Sequence, residues 1–414
     1  MKRGSFLKKS VYAGKSQYCT VKSFLLKILI AVFTICIGLQ LNAQSKKVPG
    51  VVVDYIPAHT GVYIGSPSVC ILPDGSYVAS HDHFGPETKE HERALTAIFK
   101  STNRGRNWEK ISEIDGQFWS NLFVHKGNLY IMGTWKHHGN FIIRRSTDGG
   151  NTWSDPVDSR NGLLLEGEYH TAPMPVILHN GRIWRAIENA RADTEAWGRR
   201  YSAMVISAPV DADLSDAANW TATNCLSYDS TYLNGNFGGW LEGNVVVTPD
   251  GKLVDMLRVA TSEKGRDMAA IVNISDDGRK ASFDPATGFI DFIGGARKFS
   301  VRYDPESKRY WTLCNMVNDE YSHLSASGVR NTLVIKSSPD LYNWTVHKIL
   351  LHHPDVSRHG FQYVDWQFDG KNIIYLSRTA YDDEFGGAHN FHDANFLTFH
   401  RIKNFRKLAR KKIK

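Results

Sequence analysis

The sequence predicts an all-β chain closed into a β-propeller of six blades. Two internal repeats and one absence carry that reading. The first repeat is Ser146-Thr147-Asp148-Gly149-Gly150-Asn151-Thr152-Trp153, of the form S-x-D-x-G-x-x-W. Its spacing has a mechanical meaning. The aspartate can fold back on the amides of its own turn, the glycine can take positive φ, and the tryptophan plugs the next strand into the core. Ser101 to Trp108 repeats it with Asn103 for Asp, Ser338 to Trp344 is a shortened copy lacking the glycine, and Ser275-Asp276-Asp277-Gly278 lacks the tryptophan. The second repeat is an apolar strand, a tight polar turn and another apolar strand. The absence is of any long helical period.

The hairpins can be taken in order. Their turns are Pro73-Asp74-Gly75-Ser76, His125-Lys126-Gly127-Asn128, His179-Asn180-Gly181-Arg182, Pro249-Asp250-Gly251-Lys252, Asp304-Pro305-Glu306-Ser307 and Phe368-Asp369-Gly370-Lys371. Asp-Gly and Asn-Gly between apolar runs are strong hairpin signals. In the fifth turn Ser307 stands where the others have glycine. Six hairpins at intervals of roughly 50 to 70 residues match the period of propeller blades. Seven blades would require Val51 to Tyr63 to hide a further hairpin. The ring should close by pairing a strand near Val51–Tyr55 with one near Phe396–His400, because an open edge invites aggregation.

The ends read differently from the body. Residues 1–43 combine basic residues with the apolar run Leu25 to Leu39 and end in Leu41-Asn42-Ala43. That pattern predicts a secretory signal cleaved near Ala43, and a secreted or periplasmic protein without stable membrane insertion. The domain expected is 44–402, with a solvated basic tail over 403–414. The net charge of +8 misleads, because residues 1–43 hold 7 Lys/Arg and residues 401–414 hold 8, with no acid in either. The body is therefore mildly acidic, which argues against a nucleic-acid partner. A monomer is expected. Outside the signal only Cys70, Cys225 and Cys314 remain, too few for a disulfide framework.

In a propeller the first strand of each blade starts, and the second ends, at one mouth of the central channel. Counting from the turns places there His81-Asp82-His83 of blade one and Trp135, Lys136 and His137 of blade two. Blade three adds Tyr169, His170 and Glu188, and blade four Trp240, Glu242 and Arg258. Blade five contributes Arg297 or Lys298 and Asn315, and blade six Gln362, Arg378 and Tyr381. His389 and His392 reach in from a later loop. Such a set suits a polar, anionic, ring-shaped ligand. Each member also has a bland reading. Arg258 could pair with Glu242, His170 could serve a backbone carbonyl, and Trp135 and Trp240 could be core rather than sugar-stacking. His81 and His83 lie two apart and face one way in a regular strand. Two histidines do not define a metal site, so no cofactor is assigned, although the sequence leaves room for a structural divalent cation.

The S-x-D-x-G-x-x-W copies are Asp-boxes. With Glu242-Gly243-Asn244 leading to Met256-Leu257-Arg258, they resemble the sialidase superfamily. The resemblance implies a Glu at the start of one strand and an Arg at the end of its hairpin mate, the Arg gripping a substrate carboxylate. Where sialidases open blade one with Arg-Ile-Pro, this chain has Tyr63-Ile64-Gly65. Tyr63 to Ser68, Tyr169-His170-Thr171-Ala172-Pro173 and Ala388-His389-Asn390-Phe391-His392 are similar to the ulvan lyases and the rhamnose–glucuronate lyases, formerly described as rhamnosidases. That resemblance implies β-elimination on a uronate glycan, with His170 as base and Arg258 neutralising the carboxylate. Glu242 and Tyr381 complete the expected catalytic set. His81, His83, Trp135, Glu188, Trp240, Arg378 and His389 are expected to bind substrate. Removal of a proton beside a charged carboxylate needs such a cation and such a base. An exo-acting glycoside hydrolase, rhamnosidase- or sialidase-like, is the alternative, and a non-catalytic glycan-binding propeller the third reading.

Overall fold

The computed structural model describes residues 47–262 and 266–410. Of the two compact units into which the chain divides, the first ends at Val48 and contributes only Lys47 and Val48 to the described residues. The second unit, from Pro49 onward, holds every strand. The segment read as an export signal lies outside the described residues. Among these, no helix is long and apolar enough to cross a membrane.

Six antiparallel sheets form six blades, and the helical elements are short 3-10 turns. Blade one holds Tyr63–Ile64 with Ser68–Ile71, Tyr77–Phe84, Leu95–Ser101 and Glu109–Asp115. Blade two holds Phe118–His125, Asn128–Thr134, Phe141–Ser146 and Leu163–Leu165. Blade three holds Tyr169–His170 with Ile177–His179, Arg182–Asn189, Ser202–Pro209 and Thr221–Ala222. Blade four holds Phe237–Val247, Leu253–Thr261, Met268–Ile274 and Ala281–Ser282. Blade five holds Ser300–Asp304, Arg309–Asn315, Thr332–Ser338 and Thr345–His352. Blade six holds Gly360–Asp369, Asn372–Ala380 and Phe396–Ile402, and its fourth strand is Val51–Tyr55 from the other end of the chain. That closure pairs Val51 with Phe399 and Tyr55 with Phe396, in the place the sequence indicates.

The core is distributed around the ring. Apolar clusters sit between successive blades, from Val78 and Ile98 against Leu122 and Ile131, round to Ile374 and Leu397 against Val69 and Phe99. Both the blade-to-blade contacts and the strand pairing thus close the ring.

Turn chemistry explains the repeats. His125 pairs with Asn128 and His179 with Arg182, leaving two-residue loops. Lys126 and Gly127, like Asn180 and Gly181, all have positive φ, as the primed hairpin turn requires. In the fifth hairpin the left-handed position is Lys308, not Ser307. The Ser307 amide instead donates to the Asp304 carboxylate. In the motif Ser146 to Trp153, the Asp148 carboxylate accepts the amides of Asn151 and Thr152, both at 3.0 Å. The Trp153 indole donates to the Gly150 carbonyl. The shortened copy keeps this arrangement, with Leu341 at φ 73° replacing the missing glycine. Each copy follows the third strand of its blade.

The basic C-terminal segment is not wholly a solvated tail. Phe405 is fully buried against Trp311 and Phe368, and Arg406 pairs with Asp304.

Candidate functional site

At one mouth of the ring a cavity of about 310 Å³ is lined by residues of five of the six blades. Its chemistry comes from Asp82 and Glu90 of blade one, Trp119 and His137 of blade two, His170 of blade three, Glu242 of blade four, and Tyr363 and Arg378 of blade six. Trp197 and His392 enter from loops.

Three inner strands carry bulges at this mouth. Pairing slips between Phe118 and Asn121, between Leu241 and Gly243, and between Gln362 and Asp365. Trp119, Glu242 and Tyr363 sit in those slips, with φ of 48° at Trp119 and 52° at Tyr363. A bulge re-aims a side chain that regular alternation would point elsewhere, and strained backbone of this kind clusters at functional sites.

Blade four supplies a locked pair. Arg258 donates from one nitrogen to both oxygens of Glu242, each at 2.9 Å, across 16 residues of one hairpin. Its Nε donates to the Ala296 carbonyl, and the Tyr363 side chain is a further hydrogen-bond partner. Arg258 therefore stands behind the cavity wall, joining Glu242 to Tyr363. In blade three, His170 Nδ1 meets Glu188 at 2.9 Å, and its ring stacks on Tyr201 at 4.3 Å. Burial pulls His170 down to about 4 and pushes Glu188 well above the usual carboxylate range. Burial thus favours the neutral form of each group.

Blade one supplies the acids. Asp82 is buried and accepts the amides of Ser66 and, at 2.6 Å, Trp119. Burial nevertheless raises its pKa. Gly65 makes this approach feasible: a Cβ there would lie 1.9 Å from Asp82 Oδ1. Burial, reinforced by the charge of Asp82, pushes Glu90 up to about 7.

The positive side of the site is Arg378 with Arg330. Arg378 is 4% exposed, lies 4.3 Å over Phe84 and 4.9 Å over Tyr363, and donates to the His392 carbonyl. Among the described residues its Nε has no hydrogen-bond partner. Arg330 is 6% exposed, lies 5.5 Å over Tyr363, and is held by the Gln362 side chain and the Ser327 carbonyl. Among the described residues neither forms a salt bridge. Burial, with Arg258 and Arg378 nearby, pulls Arg330 down to about 10.

Of the residues expected from sequence at this mouth, the structure brings Asp82, His137, His170, Glu242, Arg378 and His392 to the cavity, with Arg258 and Glu188 directly behind. The remaining residues expected to act on or bind substrate are corrections. Tyr381 packs on His353, His359 and Phe361 away from the cavity. His81 and His83 face Asp54 of the closing strand, because strand alternation turns Asp82 inward and its neighbours outward. Trp135 does not line the cavity and carries Arg93 on its ring. Trp240 is 1% exposed, packed among Phe237, Phe283 and Phe289. His389 is exposed, and the histidine its loop delivers is His392. Sequence reasoning missed Tyr363, Arg330, Glu90, Trp119 and Trp197. Tyr363 follows Gln362, which counting placed at the mouth.

No family model and no curated protein matches the chain. Solved structures do. An α-L-arabinanase of Penicillium chrysogenum, complexed with arabinobiose, aligns at TM-score 0.53 and 14% identity over 86% of this chain and 98% of its own. A Hadza microbial sialidase aligns at 0.57 and 16%, over 86% and 68%. The leech intramolecular trans-sialidase aligns at 0.55 and 12%, over 89% and 72%. The fold is that of the sialidase-like six-bladed propellers. At these identities the likeness establishes architecture only.

Proposed function

We propose that this chain is an exported glycoside hydrolase acting on an acidic sugar. The observation that carries the reading is the pair Arg330 and Arg378. Two buried guanidiniums that form no salt bridge among the described residues, beside an open cavity, are costly unless an anion completes them. A sugar carboxylate is planar and matches the guanidinium fork. The solved structures of similar fold add support, since they include an arabinanase and sialidases.

The remaining groups fit hydrolysis. Glu90, kept protonated up to about pH 7, supplies a proton to the departing glycosidic oxygen. An anionic sugar repels a carboxylate nucleophile, whereas the neutral Tyr363 phenol does not suffer that penalty. Arg258 holds Tyr363 and Glu242 together. Tyr363 attacks the anomeric carbon, Glu242 takes the phenol proton, and the glycosidic bond breaks as Glu90 protonates the leaving oxygen. Water then attacks the anomeric carbon, giving a proton to the Glu90 carboxylate, and Tyr363 departs with the proton returned by Glu242. The β-elimination expected from the lyase resemblance is less well served. Arg258, which was to neutralise a uronate, is already occupied by both oxygens of Glu242.

One assay separates the readings. Umbelliferyl glycosides of N-acetylneuraminic acid, glucuronic acid and L-arabinofuranose are incubated with the protein, alongside ulvan and rhamnose–glucuronate glycans. Fluorescence from an acidic glycoside is expected, without ultraviolet absorbance of unsaturated uronate. Absorbance growth would indicate a lyase, arabinofuranoside cleavage alone a neutral-sugar enzyme, and no turnover a binding module. Each would count against the proposal. Export is tested by amino-terminal sequencing of secreted protein, which should begin at Gln44.

A further inference from the structure

His81 and His83, displaced from the cavity, meet Asp54 in an arrangement with its own logic. His81 is fully buried. Its Nδ1 lies 3.0 Å from the Asp82 carbonyl oxygen and its Nε2 lies 2.8 Å from Asp54 Oδ2. A carbonyl only accepts, so Nδ1 carries a proton. In the neutral ring, Nε2 then presents its lone pair to a carboxylate. Two acceptors face each other, and something positive must lie against both. A second ring proton would serve, and so would a metal ion. Metal-bound histidines characteristically donate their other N–H to a backbone carbonyl or carboxylate, as Nδ1 does here.

The neighbours favour the ion. His83 lies on the same side of the strand, its ring 5.1 Å from that of His81. One ligand atom each from Asp54, His81 and His83 lies within 4.8 Å of the others. Two imidazoles, one carboxylate and a water make the four-coordinate set that suits zinc. Bonds of about 2.0–2.1 Å in a tetrahedron put ligand atoms roughly 3.3 Å apart. Asp54, with its side chain 26% exposed, has room to open from 2.8 Å.

The position gives such a site a purpose. Asp54 lies where the pairing of Val51–Tyr55 with Phe396–Ile402 slips by a residue. The histidines belong to the second strand of blade one. We infer that Asp54, His81 and His83 form a zinc-binding clasp that ties the ring-closing strand to blade one. It is separate from the cavity and independent of the reaction proposed there.

The test uses the full mature chain, dialysed against a chelator and titrated with ZnCl2. Elemental analysis after desalting should give about one zinc per chain. At 100-fold excess over Kd, zinc should raise Tm by roughly 3–4 °C. No hydrogen bond holds the His83 side chain to the described fold, so His83→Ala should fold normally yet lose both the metal and the Tm shift. Asp54→Asn should weaken binding at least tenfold. His359→Ala, which alters the separate His353–His359–Asp382 cluster, should retain the zinc. Absence of zinc from the native chain would overturn the inference and leave a protonated His81 paired with Asp54. Retention of zinc by His83→Ala would overturn it equally, placing the metal elsewhere.

Discussion

Arg378→Met separates a functional arginine from a structural one, because the two roles predict opposite changes in stability. The native side chain is 4% exposed, has an unpartnered Nε, forms no salt bridge among the described residues, and leans on two aromatic rings. Removing it forfeits one charge-assisted hydrogen bond to the His392 carbonyl, worth about 1.5–3 kcal/mol. It also forfeits two cation–π contacts of about 1 kcal/mol each. Against this stands the several kcal/mol that burying an ion costs when it has no salt bridge and only the more distant charges of Asp82, Asp393 and Glu90 offset it. Methionine keeps much of the apolar stem. The balance lies near zero, so Tm should stay within a few degrees of native or rise. On an acidic glycoside, kcat/KM should fall by about 10²–10³, corresponding to about 2.7–4 kcal/mol of lost stabilisation. On the carboxyl methyl ester of the same glycoside the loss should shrink below tenfold. Steady-state kinetics on the acid and ester, with a melting curve, decide the matter. A large drop in Tm with turnover of the acid intact would refute the reasoning and make Arg378 a structural residue.

Other substitutions probe the remaining parts. Tyr363→Phe should leave binding of the acidic sugar within a few-fold of native and lower kcat by about three orders of magnitude, read by comparing titration calorimetry with turnover; unchanged kcat would move the nucleophile elsewhere. Glu90→Gln should abolish the loss of activity expected of the native protein as pH rises through about 7, and should spare substrates with good leaving groups. The stability sign is fixed as well. The Glu90 pKa is raised by folding, so its contribution falls as pH climbs from the unfolded value toward about 7, and Glu90→Gln should be more resistant to denaturant than native protein at pH 8 but not at pH 4. Trp240→Ala should cost about 3–5 kcal/mol of stability in urea melts, with normal specific activity in the folded fraction; a selective loss of activity would put Trp240 back at the sugar.

How much of this was legible depended on whether a residue obeyed a period. The six hairpins were readable because a tight turn demands left-handed backbone, and Gly75, Gly127, Gly181, Gly251 and Gly370 supply it. Lys308 supplies the sixth without any glycine signal. Glu242 and Arg258 were readable because one hairpin brings both ends to the same mouth. The triplet His81-Asp82-His83 was located correctly and assigned the wrong way round. Alternation sends either the acid or the histidines inward, and only the packing of Asp82 against the amides of Ser66 and Trp119 shows which. Tyr363 lay hidden in a bulge, which breaks the alternation on which counting depends. Arg330 precedes the strand Thr332–Ser338, in a connection that strand-end counting does not reach.

The central claim is that the cavity holds an acidic sugar through its arginines, and calorimetric titration with matched monosaccharides tests it most directly. N-acetylneuraminic, glucuronic and galacturonic acids are compared with their neutral counterparts and with arabinose, on native protein and on Arg378→Met. One site per chain is predicted for an acidic sugar, binding at least 100-fold tighter than its neutral counterpart, with loss of that preference in Arg378→Met. Equal or tighter binding of a neutral sugar, or an acid preference that survives Arg378→Met, would contradict the claim.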